Sequence, residues 1–491
     1  MSEPLRYDGY GTSAASPAQR LADWLYTQGS RGAMVAAILI AGYAIALLTI
    51  KFNPYYAVIG MICLAFGIAV AYKPEFGALA YFAIAPLAFG ESPQVESSNS
   101  DYSAGVLPAE IILGFLLMIW FARMVLTGRA KIVPSHLNKP LLTLGAVVLA
   151  SLACSRFIYD PAIHQAHYLF ITQVAEAGLF LLAIGAFFLT ANLLKNPKWI
   201  NATIYPVAAI GAYVAVFKLL DIPMIVATPK SVFVATVAAA YIFSWLLFNR
   251  PKAGATLVLV VILAGCLAVA YRSLDWISGL ITITLVLLTL ILFKSKKVFA
   301  GVVIALLIAA IFANPVFKSM YDESAAQGDF DRFGIWSDAA NMAWQTNPIL
   351  GIGPGNYYSY SFKFGSIWYG NLTYTTAHNN YAQVGAEMGL LGLFALLWVI
   401  VGGIRTGLDA FKNANPDLKW IAAAATAILV GFAASSMFGD YMFPNRANNG
   451  LFLFCISVFI WLTLGAAVAA RNVSDEGVID QAAPPLFRAK R

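Results

Sequence analysis

GATLVLVVILAGCLAVA (residues 254–270) is an uninterrupted apolar block, and ISGLITITLVLLTLILF (residues 277–293) is a second one a few residues later. Each is close to the length that an α-helix needs to cross the ~30 Å hydrocarbon core of a bilayer. The blocks are uniformly apolar and do not alternate, so they predict helices and not the strands of a barrel. Only 11% of the 491 residues are charged, against about 25% in soluble domains. The sequence predicts an all-α, polytopic integral membrane protein.

Similar blocks recur along the chain, and fourteen of them are predicted to be transmembrane helices. With residues 1–32 placed in the cytoplasm as a polar tail, most of the 31 lysine and arginine residues fall on that side, as membrane proteins prefer. The tail at residues 471–491 is then cytoplasmic as well. The helices are expected near residues 33–50, 54–72, 76–90, 106–125, 140–154, 166–192, 202–220, 231–248, 254–270, 277–293, 298–313, 386–404, 420–437 and 449–469.

The cysteines give no sign of a disulfide framework or a metal site. All four of them fall inside apolar blocks, without the short Cys and His spacings of metal-binding motifs. No metal or other cofactor is expected on this basis. The four positions are Cys63, Cys154, Cys266 and Cys455.

One long loop, residues 314–385, separates eleven predicted helices (33–313) from the last three (386–470). The charge distribution places this loop outside the cytoplasm, in the periplasm. Loops of this length are uncommon and are often functional. Because the loop is rich in Trp, Tyr and Phe, its composition is not that of a disordered segment. We therefore expect an ordered loop with short helices and a functional site.

The loop begins with DRFGIWSDAANMAWQTNP (residues 331–348), which predicts an amphipathic helix lying on the membrane surface. Asp331 is a candidate N-cap, and Arg332 stands at the start of the helix. The expected apolar stripe consists of Trp336, Ala340 and Ala343. The following strip GIGPGN (residues 351–356) has two interpretations: backbone N–H groups offered to an anion, or a tight connection between helices.

Eight aromatic side chains follow within residues 357–374. Aromatic rings stack on the C–H faces of sugars, so the cluster fits a saccharide-binding wall. An interfacial aromatic belt, common at membrane surfaces, explains it equally well. The eight are Tyr357, Tyr358, Tyr360, Phe362, Phe364, Trp368, Tyr369 and Tyr374.

The loop ends with TTAHNNYAQVGAEMGLLGLF (residues 375–394), where His378 precedes Asn379 and Asn380. An imidazole, with an ordinary pKa near ~6.5, is the usual general base at neutral pH. A loop histidine without a catalytic role is the alternative interpretation. Glu387 is expected at the start of a spanning helix, either as a carboxylate favoured by the helix dipole or as a functional group.

Two of these stretches resemble the O-antigen ligase and polysaccharide polymerase superfamily of bacterial membrane glycosyltransferases. They are RFGIWSDAANMAWQTNPILGIGPG (residues 332–355) and AHNNYAQVGAEMGLLGL (residues 377–393). The family pattern is an Arg, a Trp with small residues, and a Pro with a short Gly repeat. An A-H-N-x-Y stretch and an acidic residue before G-L-L-G then follow. Order and spacing match over about 80 residues.

The resemblance implies glycosyl transfer in the bacterial inner membrane, with the active site on the periplasmic face. The donor is a glycan on undecaprenyl diphosphate, and the acceptor is a lipid-linked repeat or the lipid A–core oligosaccharide. The family needs no metal and no cofactor. Its partners are these glycans and the lipid bilayer, and no nucleic acid is involved.

The resemblance also suggests individual roles. His378 matches the family's essential histidine, and Arg332 matches an arginine that holds the donor diphosphate. Arg272 in YRSLDWISGL is displaced from Ser278-Gly279, where the family has S-R-G. The further expected residues are Arg156 for the diphosphate, Tyr357, Tyr358, Trp368 and Tyr381 for sugars, and Asn379 and Glu387 in support.

Three functions remain open. A polymerase adds the donor to another lipid-linked repeat, whereas a ligase adds it to lipid A–core or to a protein hydroxyl. Family ligases tend towards twelve spans, so fourteen favours the polymerase. A lipid-linked oligosaccharide flippase is the third reading, although the predicted spans carry few of the ionisable groups that transporters place at the midplane.

Overall fold

The structure, a computed structural model, describes residues 73–86, 108–127, 132–163, 169–224, 231–272, 277–312, 332–364, 376–445 and 450–482. All regular elements in these residues are helical, as expected for an all-α protein. The predicted tail at residues 1–32 and the spans near 33–50 and 54–72 lie outside the described residues.

The described residues form fifteen α-helices and one short 3₁₀ helix, Pro416–Leu418. The α-helices are α1 (Pro74–Ile84), α2 (Pro108–Thr127), α3 (Asn138–Cys154), α4 (Leu169–Leu193), α5 (Pro197–Ala202), α6 (Ile204–Leu219), α7 (Ser231–Phe248), α8 (Ala253–Arg272), α9 (Ile277–Lys294), α10 (Lys296–Phe312), α11 (Arg332–Thr346), α12 (Tyr357–Phe364), α13 (Asn380–Asn413), α14 (Lys419–Ser435) and α15 (Gly450–Ala482).

Seven stretches of the described chain are long and apolar enough to cross a bilayer, so a multi-pass protein is confirmed and the number fourteen is not. Three shorter apolar helices accompany them: Glu75–Ile84, Asn138–Cys154 and Ser278–Lys294. The seven are Phe170–Leu193, Pro197–Leu219, Ser231–Phe248, Ala253–Arg272, Asn380–Asn413, Pro416–Ser435 and Leu453–Ser474.

Two predicted boundaries differ from the structure. α13 begins at Asn380, so the end of the predicted loop is already helical, and it continues to Asn413. α15 continues to Ala482, so the first part of the predicted C-terminal tail is helical too. Hydropathy follows the apolar core of a bilayer, and it misses polar helical turns that extend beyond this core.

The chain divides into two units, one comprising Met1–Pro74 with Met118–Lys131 and the other Glu75–Leu117 with Ile132–Arg491. The larger unit contains the long loop. At its centre lies α15, whose apolar part is entirely buried and which packs against α4, α13 and α14. α4 and α15 approach so closely that a Cβ on Gly465 would lie 2.6 Å from the carbonyl oxygen of Phe187. Small residues permit such approaches between helices in membranes.

Helix ends gather at two opposite ends of the larger unit. At one end, which we call the site end, α3 and α14 finish while α4 and α13 begin, and the Gln173 amide donates to Asn356 Oδ1 there (2.7 Å). At the other end, Arg471 pairs with Asp409 at 2.5 Å. The two helices of the long loop, α11 and α12, belong to the site end.

α11 confirms the predicted helix and corrects its apolar stripe. The buried side chains are Ile335, Ala339, Met342 and Ala343, whereas Ala340 is exposed. Ala343 is buried as predicted, whereas Ile335 and Ala339 are buried in place of the predicted Trp336 and Ala340, each one residue earlier. α11 packs against α13 through this stripe, and Asp331 lies outside the described residues.

Candidate functional site

A kink in α13 organises the site end. Gly389 adopts φ 65°, which divides α13 into a short first part and a long second part. The backbone groups that the kink releases pair with residues 348–353, as buried polar groups must. The hydrogen bonds run from Ile352 N to Ala386 O (3.0 Å), Gly353 N to Glu387 O (2.8 Å), Leu390 N to Pro348 O (2.9 Å) and Leu391 N to Ile349 O (3.2 Å).

The glycine strip at residues 351–356 is a tight connection packed against this kink. Gly351, Gly353 and Gly355 all have positive φ, a region that favours glycine. A Cβ on Gly353 would overlap the Ser155 side chain, so α3 also requires a glycine at this position. The amide of Gly351 donates to Asn347 O (2.7 Å). These backbone N–H groups serve the protein's own interior.

The end of the strip donates hydrogen bonds to an acidic side chain of the protein itself, that of Glu387. This carboxylate accepts hydrogen bonds from the backbone of Gly355 and Tyr357, the latter at 3.3 Å to Oε1. Gln383 Nε2 donates to the same Oε1 (2.9 Å). Glu387 is 1% exposed, so these donors replace the water that a carboxylate would otherwise need.

A chain of hydrogen bonds leads from Glu387 to the residue before His378. Gln383 Oε1 accepts from the Ala377 amide (2.8 Å), and Ala377 O accepts from the indole Nε1 of Trp336 (3.1 Å). Ala377 is thus held on both sides, by α13 and by α11. The contacts link the glycine strip, α11 and the histidine motif in one arrangement.

His378 lies at the N-terminus of α13 with its side chain partly exposed. Its φ is 47°, which is uncommon for a residue with a Cβ. Next to it, the Asn379 side chain caps α13 and accepts from Tyr381 N (2.9 Å) and Ala382 N (3.2 Å). Since Ala377 and Asn379 are both buried, the backbone on either side of His378 is fixed. Fixed unusual backbone of this kind is common at functional sites.

Arg332 is the first residue of α11, and it is partly exposed. Its guanidinium Nη1 donates to the carbonyl oxygen of Phe438 (3.2 Å). Phe438 belongs to residues 436–445, which follow α14 and which we call the connecting segment. A guanidinium has five N–H donors, and this contact uses one of them to orient the side chain.

The connecting segment also joins the histidine motif to α9. Asn380 bonds to it through its backbone and its side chain, and Tyr441 OH bonds with Ser278 Oγ (2.9 Å). Its carboxylate Asp440 is buried. Burial, followed by the charges of Asp338, Asp440 and Glu387, raises the pKa of Tyr357 well above its ordinary value.

The predicted sugar-binding tyrosines occupy different environments. Tyr357 is buried in the core under α11, and its hydroxyl donates to Ile335 O (3.4 Å). Tyr381 is partly buried and donates to Ala433 O (2.7 Å). Tyr358 is partly exposed beside Phe362, with their rings 5.0 Å apart. A sugar could therefore stack on Tyr358 and Phe362, whereas Tyr357 contributes to packing. Trp368 lies outside the described residues.

The two other predicted arginines lie on separate elements. Arg156 follows α3 directly after Ser155, the neighbour of Gly353, and its guanidinium carbon is 5.0 Å from the centre of the Phe170 ring. Arg272 ends α8, where it donates to Asp221 Oδ2 (3.1 Å). α8 packs against α6, α7 and α9. Arg156 therefore borders the glycine strip, whereas Arg272 has an acidic partner in the described protein.

The sequence analysis did not single out four residues that the structure places at the site end. Asn380 stood in the motif beside Asn379, but two adjacent amides do not reveal which one caps the helix. Asp440 was a visible signal, because an acidic residue between apolar blocks is uncommon. Gln383 and Tyr441 gave no signal of their own. Among the described residues, no group of three or more His, Cys, Asp or Glu side chains could hold a metal ion.

Comparison with known proteins agrees with the motifs. A family model described as O-antigen ligase matches residues 258–397, which run from α8 into the second part of α13. The match includes Arg332, the glycine strip and His378, and it ends before the connecting segment. No curated protein matches the chain. Residues 258–397 are therefore similar to the O-antigen ligase family, in agreement with the resemblance that the motifs carry.

Proposed function

We propose that this protein is a metal-independent glycosyltransferase of the bacterial inner membrane. It takes a glycan from undecaprenyl diphosphate on the periplasmic face and transfers it to a sugar hydroxyl. In the favoured form of the proposal, the acceptor is another lipid-linked repeat, so the enzyme polymerises O-antigen or exopolysaccharide units. The family match at residues 258–397 supports the reaction class.

One observation carries the proposal: His378 and Arg332 lie on two elements that are bonded to each other. The bond from Trp336 Nε1 to Ala377 O joins α11 to the residue before His378. The connecting segment joins the same two elements through Phe438 and Asn380. Transfer from a lipid diphosphate requires a base and a phosphate-binding cation at fixed positions relative to each other.

The reaction proceeds as a substitution at the anomeric carbon of the donor sugar. The His378 imidazole accepts the proton of the acceptor hydroxyl, and the hydroxyl oxygen forms the new glycosidic bond. The bond from the anomeric carbon to the diphosphate oxygen breaks, and undecaprenyl diphosphate leaves with that electron pair. A positioned base contributes about 10²–10⁴-fold in rate.

Guanidinium groups stabilise the charge that develops on the leaving diphosphate. Arg332 is oriented by its contact with Phe438 O, and the planar donors of a guanidinium match phosphate geometry. Arg156 lies next to Ser155, beside the glycine strip, and is exposed, so we assign it to the same diphosphate. Arg272 binds the same diphosphate only if the donor displaces Asp221 from the Arg272 guanidinium. Tyr358 stacks on the acceptor sugar.

A ligase that transfers the glycan to lipid A–core is the second candidate. The description of the matching family model, O-antigen ligase, favours it. Both reactions use the same donor chemistry and differ in the acceptor. Seven described spans do not discriminate between a ligase and a polymerase, so the products must decide.

The test is complementation of a deletion strain of the host with wild type, His378→Ala or His136→Ala, matched for protein level. His136 is an exposed histidine just before α3, away from the site end, and serves as the control. Surface polysaccharide is separated on a gel beside a blot for lipid A–core. We expect His136→Ala to complement and His378→Ala to lose about 10²-fold or more of the product.

The missing product identifies the acceptor. Accumulation of single repeats indicates a polymerase, whereas long chains that stay on the lipid carrier indicate a ligase. Full complementation by His378→Ala would contradict the catalytic role of His378. If, in addition, lipid-linked repeats cross the membrane only in cells that contain the protein, the protein is a flippase and not a glycosyltransferase.

A further inference from the structure

Asn380 commits its entire side chain to the connecting segment. Oδ1 accepts from the amides of Met442 (2.8 Å) and Phe443 (3.2 Å), and Nδ2 donates to Phe443 O (2.6 Å). The backbone amide of Asn380 donates to Ser436 O (2.8 Å). Asn380 is fully buried. To bond with two backbone N–H groups and one backbone carbonyl, the side chain must carry both an acceptor and a donor, as an amide does.

The connecting segment reaches three elements of the candidate site. Besides Asn380 at the start of α13, it holds Arg332 at the start of α11 through Phe438 O. It also holds Ser278 at the start of α9 through the hydroxyl of Tyr441, whose ring lies 4.5 Å from that of Phe233. The segment lies after the family match, which ends at residue 397.

We propose that Asn380 is a positioning residue that sets the place of His378 relative to Arg332 through the connecting segment. The proposal rests on the proposed function. His378 is two residues before Asn380, and Asn379 between them caps α13, so little freedom separates the imidazole from the Asn380 contacts. Arg332 is bonded to the same segment. The base, His378, and the diphosphate-binding cation, Arg332, are thereby both positioned by the connecting segment.

Removing the hydrogen bonds between the Asn380 side chain and the connecting segment should lower the turnover rate more than the affinity for the donor. A displacement of about 1 Å between reacting groups can cost about 10²-fold in rate. Arg332 would keep its own contact with Phe438, so the donor should still bind. We therefore expect Asn380→Leu, which has a similar volume and no polar group, to lower kcat about 10²-fold with a KM for the donor within about 3-fold of wild type.

The experiment uses purified full-length protein and lipid-linked glycan extracted from the deletion host. Asn413→Leu is the matched control, because Asn413 is exposed at the other end of the same helix and bonds only locally, to Asp409. Rates are expressed per folded molecule, measured by size-exclusion chromatography. A role limited to folding would change the amount of folded protein and leave kcat per folded molecule at the wild-type value, which would overturn the proposal.

A second variant keeps the test decisive if Asn380→Leu does not fold. Asn380→Asp retains the acceptor for Met442 and Phe443, but its carboxylate donates to Phe443 O only when it is protonated. We expect the ratio of its kcat to that of wild type to rise as pH falls. A ratio independent of pH overturns the proposal.

The two proposals fail separately. If His378→Ala keeps wild-type turnover, the catalytic assignment of the proposed function is lost. If His378→Ala is inactive while Asn380→Leu turns over at the wild-type rate, only the positioning role is lost.

Discussion

Glu387 shows how a buried residue of the motif holds parts of the candidate site together. Its position at the start of a helix suggested a carboxylate in the field of the helix dipole. In the structure it is buried and accepts hydrogen bonds from Gly355, Tyr357 and Gln383. Gln383 in turn accepts a hydrogen bond from the amide of Ala377, the residue before His378. A buried carboxylate with hydrogen-bond donors fixes the elements that supply them. Its role is to join the glycine strip to the histidine motif.

Asp160 supplies a prediction at the same scale. Lys363 on α12 pairs with Asp160 in the loop after α3, and the hydrogen bond from Lys363, followed by that from the Ala162 amide, lowers the pKa of Asp160. A lowered pKa means that the contact stabilises the fold at neutral pH. This contribution is lost as the pH falls from about 4, the ordinary Asp value, through the lowered value.

We therefore expect Asp160→Asn to lower the melting temperature at pH 7 and to lose this effect under strongly acidic conditions. Thermal unfolding in detergent, at pH 7 and at strongly acidic pH, measures the difference in melting temperature from wild type. Asp417→Asn is the control, because Asp417 is an exposed aspartate at the end of the molecule opposite the site end. The pair is exposed, so water screens it and the effect is small. An equal difference between wild type and Asp160→Asn at both pH values would contradict the assignment.

Among the elements, α13 depends most on a single backbone conformation. The kink at Gly389 allows residues 348–353 to pair with the backbone it releases. A Cβ at Gly389 would lie 2.5 Å from the carbonyl carbon of Ile349, and φ 65° disfavours any residue with a side chain. Gly385 lies one turn earlier in the same helix, and a Cβ there meets nothing within 4 Å.

This pair of glycines gives a matched prediction. Gly389→Ala should destabilise the protein by about 1–3 kcal/mol or more, because strain adds to the overlap with Ile349. Gly385→Ala should be neutral or stabilise it by up to about 1 kcal/mol through helix propensity. Thermal or denaturant unfolding of the two purified variants compares them directly. Equal stability of Gly389→Ala and Gly385→Ala would show that the kink is not required for the fold.

For the whole molecule, the alternation of helix ends supports one topology. The site end gathers the segments that the charge distribution placed in the periplasm, whereas the Arg471–Asp409 pair lies at the other end. Phe362 at the site end and Asn413 at the other end are both exposed.

These two positions test the orientation. We expect Phe362→Cys to react with a membrane-impermeant thiol reagent in cells with a permeabilised outer membrane. Asn413→Cys should react only after the inner membrane is opened. The four native cysteines are replaced by alanine or serine in both variants. The reverse labelling pattern would place the site end in the cytoplasm and remove the basis for a periplasmic donor.

The sequence predicted the elements of this protein well and the contacts between them less well. The blocks at residues 231–248 and 254–270 coincide with α7 and α8 within a few residues, because apolar length is a local property. Two of the three predicted stripe positions of α11, Trp336 and Ala340, were one residue too late, because the local pattern does not show that the Trp336 indole nitrogen bonds to Ala377 O. Which face of a helix is buried depends on what packs against it.

The sequence alone determined the class of the protein and the family that its motifs resemble. A bilayer requires that each spanning segment satisfy its own backbone, so composition and block length are sufficient for the class, and the Arg332 and His378 motifs are contiguous stretches. Only the tertiary structure decided that the glycine strip binds Glu387, that Tyr357 is buried and that Asn380 holds the connecting segment. Asn380 and Phe443 are 63 positions apart along the chain, and the pairing of such distant groups is set by packing and not by local pattern.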